Sequence, residues 1–354
     1  MNRIHNQTTE EAIKQLFNKV SPNEPGFAYI ASFDDGVTYK GAVGLDSIEA
    51  NLPITTKTIF NLASISKQFT AFAILLLEQE GKLNLDDSIV KYLPSLGAYA
   101  EPVTLRHLVH HTGGLVHYED LAEKEKITDR DKLTPEETLK HLENHQMAKF
   151  PVGTKFEYSN TGYFLLSLVV EKASGKNLRE YAQERIFEPL HMNDTEIVER
   201  YPTNFPIARG YLKNEQGGYD IYESPWEHMG DGAVHSNVED LVKWGQNYTT
   251  ATVGGNDLVK KMTEVGPKTS PFGQMIIENE DYAFGISHGK DFDCHYFEHS
   301  GGWAGYHSHF MRFPEERLTI AVLSNYGDID SDNSMPVEYA KKIAEIILGE
   351  SANL

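Results

Sequence analysis

The stretch Ser64-Ile65-Ser66-Lys67 opens a run of mostly apolar residues. From Thr70 to Leu77 the apolar density is that of a helix buried on most sides, and Gly81 lies just beyond its end. At a helix start, Ser64 and Lys67 are three positions apart and therefore share a face. The stretch predicts a core helix whose first turn places a hydroxyl beside an amine.

That pair is suited to acyl transfer. A serine hydroxyl is a weak nucleophile until a base takes its proton, and a lysine amine can do so only in its neutral form, which burial favours. The backbone N–H groups at a helix N-terminus can in addition receive an oxyanion. The sequence therefore predicts Ser64 as an acylated nucleophile and Lys67 as its proton partner.

A second copy of the pattern shows that Ser-x-x-Lys by itself is a weak signal. Ser88-Ile89-Val90-Lys91 follows Leu85-Asp86-Asp87, a sequence typical of a turn. It does not open a buried helix. We interpret this copy as structural.

Tyr158-Ser159-Asn160 follows Pro151-Val152-Gly153 and precedes a helical pattern, so it lies on a turn that can direct two polar side chains into a cleft. Two interpretations are open. Asn160 can be the N-cap of the helix and Tyr158 a packed aromatic residue. Alternatively, the phenol relays a proton and the amide donates a hydrogen bond to the substrate.

Strand-forming segments lie near both chain ends, and helical patterns lie between them. The segments rich in aromatic and β-branched residues are 27–33, 37–43, 282–287, 295–299, 306–312 and 318–323. They predict an α+β fold: an antiparallel sheet of about five strands flanked by terminal helices, with an inserted all-helical lobe. The predicted boundaries are 1–75 with 270–354 for the lobe carrying the sheet and 76–269 for the mostly helical lobe, with the active site between them.

Composition limits the partners of this 354-residue chain. The 52 acidic and 32 basic residues give a net charge of −20, which repels nucleic acid and anionic membranes. Cys294 is the single cysteine, so no intrachain disulfide can form. The residues from Met1 to Gln7 contain no apolar stretch typical of a secretion signal, which predicts a cytoplasmic location unless a leader has been removed. The oligomeric state is left open.

The order of the motifs resembles the serine β-lactamase and penicillin-binding-protein superfamily, in the branch of class C β-lactamases, D-aminopeptidases and related esterases. The motifs from Ser64 and from Tyr158 are similar to the first and second motifs of that superfamily. His299-Ser300-Gly301 is similar to its Lys-Thr-Gly motif. The resemblance extends from about Gly26 to Gly349. Asp231-Gly232-Ala233 and the His111-Thr112-Gly113-Gly114 turn are also similar to elements of this branch.

The resemblance implies a DD-peptidase/β-lactamase-like fold and a set of roles. Ser64 attacks the carbonyl, two groups move protons, and the amides of Ser64 and Gly302 form an oxyanion hole. No metal or cofactor is implied, and the expected partner is a small ester, amide or short peptide substrate. The implied site residues are Ser64, Lys67 and Tyr158 for catalysis and Asn160, His299, Ser300, Gly301 and Gly302 for substrate binding.

His299 is a departure from the pattern, because the superfamily usually has a lysine whose charge meets a substrate carboxylate. A histidine is only fractionally cationic at neutral pH. We therefore predict an esterase or a D-aminopeptidase-like enzyme rather than an efficient β-lactamase. Lys268-Thr269-Ser270 and Ser331-Asp332-Asn333 also spell superfamily motifs, but Pro271 follows the first and the second comes after the last strand, so we interpret both as coincidences.

Two alternatives are weighed. His295-Tyr296-Phe297-Glu298-His299 matches a zinc-hydrolase signature that requires a helix. The local sequence favours a strand, which would separate the two imidazoles by roughly 13 Å along the backbone. The second alternative is a sensor of the same fold that is acylated once without turnover.

Overall fold

The computed structural model describes residues 5–200, 205–268, 281–327 and 335–349. Short 3-10 helices in this part of the chain span Ala63–Ile65, Ile89–Lys91, Pro94–Leu96 and Ala98–Ala100, and a π-helix spans Gln183–Phe187. The α-helices are α1 Gln7–Leu16, α2 Ser66–Gln79, α3 Leu105–Val109, α4 Tyr118–Lys124, α5 Pro135–Asn144, α6 Asn160–Ser174, α7 Leu178–Ala182, α8 Val238–Thr250, α9 Gly255–Met262 and α10 Met335–Gly349. The strands are β1 Phe27–Phe33, β2 Thr38–Val43, β3 Leu45–Ser47, β4 Leu52–Pro53, β5 Phe60–Asn61, β6 Glu196–Ile197, β7 Tyr211–Lys213, β8 Tyr219–Ile221, β9 Val234–Ser236, β10 Ser287–Asp291, β11 Cys294–Trp303, β12 Tyr306–Phe313 and β13 Leu318–Ser324.

An antiparallel sheet joins the two ends of the chain. Its strand order is β10-β11-β12-β13-β1-β2, and β1 pairs with β13 from Phe27 opposite Ser324 to Phe33 opposite Leu318. The pairing of an early strand with a late one places the segments between them outside the sheet. This arrangement confirms the predicted α+β class with terminal strands.

The sheet has six strands where about five were predicted, and the difference lies at its edge. The predicted strand at 282–287 is not formed, and Tyr282 makes only an isolated bridge to Ser287. The strand begins at Ser287 instead, and β10 turns into β11 through Phe292 and Asp293, both with positive φ. A two-residue turn of this kind usually shows itself in a sequence by Asn or Gly, which are absent here.

Both faces of the sheet are covered, which explains why β1 is buried along its whole length. Alternate residues of a strand point to opposite faces. Phe27 and Tyr29 pack in one cluster with residues of α1 and α10, such as Ile13 and Ile343, whereas Ile30 belongs to the larger cluster that contains α2. The terminal helices therefore cover one face, as predicted, and the other face supports the site.

Helix α2 is the centre of the larger core. Every residue from Ser66 to Leu77 is buried, which confirms the predicted core helix. Between the sheet strands the chain is mostly helical, but it also contains short strands, and β5, β9 and β6 form a small three-stranded sheet. The division into lobes at 1–75 with 270–354 and at 76–269 stays a prediction.

The two motifs that we interpret as coincidences lie partly or wholly outside the described residues. Thr269 and Ser270 of the first, and the whole of Ser331-Asp332-Asn333, lie outside the described residues. Among the helices that are described, none is long and apolar enough to cross a membrane.

Candidate active site

Ser64 lies on a tight turn between β5 and α2. The residue before it, Ala63, has a φ of 47°, a left-handed conformation that is uncommon for a residue with a Cβ. Asn61 Oδ1 accepts a hydrogen bond from the Ala63 N–H at 2.7 Å and holds this conformation. The turn thus fixes Ser64 at the start of the buried helix, where its side chain lines a cleft.

Lys67 is fully buried and lies one helical turn after Ser64. Its Nζ donates to Ser64 Oγ at 3.0 Å, to Asn160 Oδ1 at 2.7 Å and to the backbone oxygen of Asp231 at 2.9 Å. Three oxygens thus surround Nζ: as an ammonium it donates to all three, and as a neutral amine it keeps two N–H donors and can accept the Ser64 proton. The amine is therefore held in one position, within direct proton-transfer distance of the serine hydroxyl.

Tyr158 lies beside the same amine. The centroid of its ring is 4.9 Å from Lys67 Nζ, and the side chain is 36% exposed. His111 packs against the Tyr158 ring with centroids 4.4 Å apart, and its Nδ1 accepts the N–H of Ser159 at 3.0 Å. His111 therefore fixes the turn that carries Tyr158.

Asn160 is the first residue of α6, and the N-cap is Ser159. The interpretation of Asn160 as an N-cap is therefore wrong: its side chain turns away from its own helix. Besides accepting from Lys67, the amide donates through Nδ2 to Glu119 Oε1 at 2.6 Å. Both ends of the amide are engaged by the protein, so its predicted contact with the substrate stays a prediction.

Three further groups lie near the lysine, and sequence reasoning assigned them no role: the buried Tyr118 and Asp231 and the partly buried Glu119. Tyr118 donates to Asp231 Oδ2 at 2.5 Å, next to Glu119 on α4. Burial raises the pKa of the Asp231 carboxyl to about 6 and that of the Tyr118 phenol well above its usual value. The resemblance of Asp231-Gly232-Ala233 to the superfamily was the one signal for this cluster, while Tyr118 and Glu119 carry no pattern of their own.

His299 lies on β11, across the site from α2. Its Nδ1 is 2.6 Å from the oxygen of Ser300 and so carries the proton, while its Nε2 is 3.0 Å from the hydroxyl of Tyr282, which donates to it. Burial, followed by the positive charge of Lys67, lowers the pKa of His299 to about 3. The imidazole is therefore neutral at physiological pH, a stronger result than the fractional charge expected from the sequence.

The glycines of β11 allow this strand to approach the turn that carries Ser64. A Cβ on Gly301 would lie 2.3 Å from the backbone oxygen of Leu62, so no other residue fits at this position without a shift. The next residue, Gly302, is exposed and lines the same cleft as Ser64. Ser300 is also exposed. The structure thus brings Gly301 and Gly302 to the serine turn, whereas a role of Ser300 stays a prediction.

The cleft next to Ser64 has a volume of about 560 Å³ including its open mouth. Neither Tyr158 nor His299 is part of its wall. Its wall consists of Asn61, Ala63, Ser64, Tyr118, Asn160, Val198, Ser224, Trp226, His228, Asp231, Gly232, Ala233, His235, Gly302 and Trp303.

His295 of the His-x-x-Glu-His segment and the second Ser-x-x-Lys copy make their contacts outside the serine site. The His-x-x-Glu-His segment lies in strand β11, as predicted, where His295 Nε2 contacts His288 Nδ1 at 3.0 Å. In the described parts of the chain, no group of three His, Cys, Asp or Glu residues could hold a metal ion. In the second Ser-x-x-Lys copy, Ser88 donates to a backbone oxygen and Lys91 pairs with Asp87. That copy contributes nothing to the cleft.

Ser64, Asn160 and Gly302 thus line one cleft, Lys67 bonds to the first two, and the ring of Tyr158 lies beside Lys67. The model of the family described as Beta-lactamase matches residues 10–343. The chain belongs to the β-lactamase family. This membership confirms the family and fold class inferred from the motifs, and the chain is a serine hydrolase of the β-lactamase family.

Relatives of known name or structure lie in the same family. The chain is 28% identical to penicillin-binding protein 4* of Bacillus subtilis, over 97% of this chain and 77% of that protein. It is 25% identical to the D-aminopeptidase of Gluconobacter oxydans, over 85% of this chain but 56% of that protein. The structure of the octameric penicillin-binding protein homologue from Pyrococcus abyssi superposes with a TM-score of 0.81 at 30% identity, over 97% of this chain and 77% of that one.

Proposed function

We propose that this β-lactamase-family protein hydrolyses an ester or amide bond, including peptide bonds, through an acyl-enzyme on Ser64. The observation that carries the proposal is the position of Lys67 Nζ, 3.0 Å from Ser64 Oγ and fixed by two other oxygens. A nucleophile held beside a buried proton acceptor is the arrangement that covalent acyl transfer requires.

The first step joins the serine to the substrate. With Lys67 in its neutral form, the Ser64 proton passes to Nζ, and Oγ forms a bond to the substrate carbonyl carbon. The negative charge that develops on the carbonyl oxygen faces the N–H groups of Ser64 and Gly302, the oxyanion hole expected from the resemblance. The fixed left-handed turn at Ala63 keeps this geometry in place before the substrate arrives.

The second half of acylation expels the leaving group. Tyr158, whose ring lies 4.9 Å from Lys67 Nζ, donates its proton to the departing nitrogen or oxygen and recovers it through the lysine. A water molecule then attacks the acyl carbon and gives a proton to Lys67. The bond from the acyl carbon to Ser64 Oγ breaks, Oγ takes that proton from Lys67, and the acid product leaves.

Because His299 is neutral, we favour substrates that have no carboxylate near this residue. Its two nitrogens are engaged by Ser300 and Tyr282, so it offers no positive charge to an anionic group. The similarity to a D-aminopeptidase supports an amide or peptide substrate. We therefore favour an esterase or D-aminopeptidase-like activity over efficient β-lactam turnover, and a cytoplasmic location stays a prediction.

The test compares Ser64→Ala with Ser88→Ala, the matched serine of the second Ser-x-x-Lys copy. p-Nitrophenyl esters and D-amino-acid p-nitroanilides are the substrates, and intact-protein mass spectrometry detects the acyl adduct. We expect Ser64→Ala to lose both hydrolysis and adduct, while Ser88→Ala retains them. Full activity of Ser64→Ala with an unchanged circular dichroism spectrum would contradict the proposal. A burst of one equivalent without further turnover in the native protein would instead indicate a sensor.

A further inference from the structure

Four rings form one wall of the cleft beside Ser64, and we call them the aromatic recess: Tyr118, Trp226, His228 and Trp303. The rings of Trp226 and Trp303 have centroids 5.4 Å apart, and that of Trp226 lies 5.4 Å from His228. Two of the three tryptophans of the chain are in this recess. Large aromatic side chains are enriched where proteins bind apolar ligands, and their faces favour contact with another ring.

The recess is held in shape before any ligand binds. Trp226 donates through Nε1 to the backbone oxygen of Thr128 at 3.0 Å, which fixes the orientation of the indole. Tyr118 is fixed through its hydroxyl by Asp231, and its ring lies 4.5 Å from that of His228. Because these rings are already positioned, a ligand loses little free energy in ordering them.

The recess also selects by charge. Burial lowers the pKa of His228 to about 3, so this imidazole is neutral at pH 7. Among the described residues that line the cleft, none is a lysine or arginine, and Asp231 supplies a carboxylate. A negatively charged group would therefore find no cation in this wall, whereas an uncharged ring would find aromatic faces.

The position of the recess decides which part of the substrate it meets. In the mechanism proposed above, Tyr158 protonates the leaving atom, and its ring lies 6.1 Å from that of His299, so the leaving group lies on the side of these two rings. Neither of these residues lines the cleft, whereas all four rings of the recess do. The part of the substrate that stays bonded to Ser64 therefore lies against the recess.

We propose that the aromatic recess binds an uncharged aromatic side chain on the acyl portion of the substrate, and that Trp226 and Trp303 determine this specificity. The proposal rests on the acyl-enzyme function proposed above and names the class of acyl group: arylacetyl or aryl-substituted amino-acyl. With a common leaving group, a phenylacetyl ester is preferred over the acetyl ester, and a succinyl ester, which carries a carboxylate, is disfavoured.

The kinetic test uses p-nitrophenyl phenylacetate, acetate and succinate with the native protein and Trp226→Ala. We expect the ratio of kcat/KM for the phenylacetate to kcat/KM for the acetate to fall on the order of 10- to 100-fold in the variant. Trp226→Phe retains a ring and should keep most of the preference even if Trp226→Ala folds poorly. Phe292→Ala removes an exposed aromatic side chain at the β10–β11 turn and is the matched control. An equal loss for both esters, or a native preference for the acetate, would overturn the proposal.

A binding measurement separates this inference from the proposed function. Phenylacetamide and acetamide are titrated into Ser64→Ala, and the quenching of tryptophan fluorescence reports occupancy of the recess. In Ser64→Ala we expect saturable quenching by phenylacetamide and none by acetamide. The quenching by phenylacetamide should remain when Trp226→Phe is added to Ser64→Ala, and it should be lost when Trp226→Ala is added. Saturable binding without Ser64 acylation in the native protein would overturn the proposed function and support the recess. Acylation without any binding preference would overturn the recess alone.

Discussion

Glu119 accepts a hydrogen bond from Asn160 Nδ2 at 2.6 Å, and the other end of the same amide accepts from Lys67. A carboxylate can only accept, so Glu119 requires the NH₂ end of the amide to face it and leaves the oxygen for the lysine. Glu119 thereby sets the orientation of Asn160 and, through it, the position of the Lys67 amine.

We predict that Glu119→Gln lowers kcat/KM for ester hydrolysis about 10- to 100-fold while leaving the fold intact. A glutamine can present either a donor or an acceptor to Asn160, so the amide can turn and release Lys67 from its position beside Ser64. The measurement is steady-state hydrolysis of p-nitrophenyl acetate. The matched control is Glu123→Gln, an exposed residue one turn further along α4. Equal activity of the two variants would show that Glu119 does not position the amide.

Tyr158→Phe separates two roles that the geometry allows for the phenol. If Tyr158 protonates the leaving group, a p-nitroanilide, whose nitrogen must gain a proton, should lose about 10²- to 10⁴-fold, and a p-nitrophenyl ester much less. If Tyr158 is instead the base that deprotonates Ser64, both substrates lose equally. The comparison uses both leaving groups on one acyl group. Tyr219→Phe, a surface tyrosine that contacts Glu24, should change neither rate.

His299→Lys should bring back recognition of a substrate carboxylate. The native imidazole is neutral because of burial, with a pKa of about 3, whereas a lysine at this position would present a positive charge toward the serine site. We expect acylation by a chromogenic cephalosporin to accelerate at least about tenfold relative to the native protein. His295→Lys adds the same charge on the same strand, beside His288, and should give no acceleration. No difference between the two variants would argue against a substrate carboxylate lying near position 299.

The parts of the site that the sequence could predict are those set by local spacing. Ser64 and Lys67 meet because residues three apart on a helix turn are neighbours, whatever the rest of the chain does. The neutrality of His299 could not be derived in the same way, because it depends on burial against Tyr282 from a distant segment. The contact of Glu119 with Asn160 joins the starts of two helices, and only the packing of α4 against α6 creates it. The β10 edge strand was missed for the related reason that its turn lacks the residues that usually mark one.

Buried neutral histidines make the stability of this protein depend on pH in a defined direction. Burial lowers the pKa of four of them to about 3 or 4: His110, His228, His235 and His299. The unfolded chain binds protons at these positions below about pH 6.5 and the native state does not, so the free energy of unfolding falls as pH falls through that range.

The buried carboxyl of Asp231 changes the free energy of unfolding with pH in the opposite direction. Its native pKa of about 6 lies above the ordinary value, so between about pH 4 and 6 it binds a proton in the native state but not in the unfolded chain. Near pH 5.5 the four histidines and Asp231 together therefore take up about three protons on unfolding, which corresponds to roughly 4 kcal/mol of stability lost per pH unit. Urea unfolding at pH 7, 6.5, 6 and 5.5 measures this slope, and His110→Gln should reduce it by about one proton. A free energy of unfolding that stays constant from pH 7 to 5.5 would mean that these histidines are not held neutral in the native core.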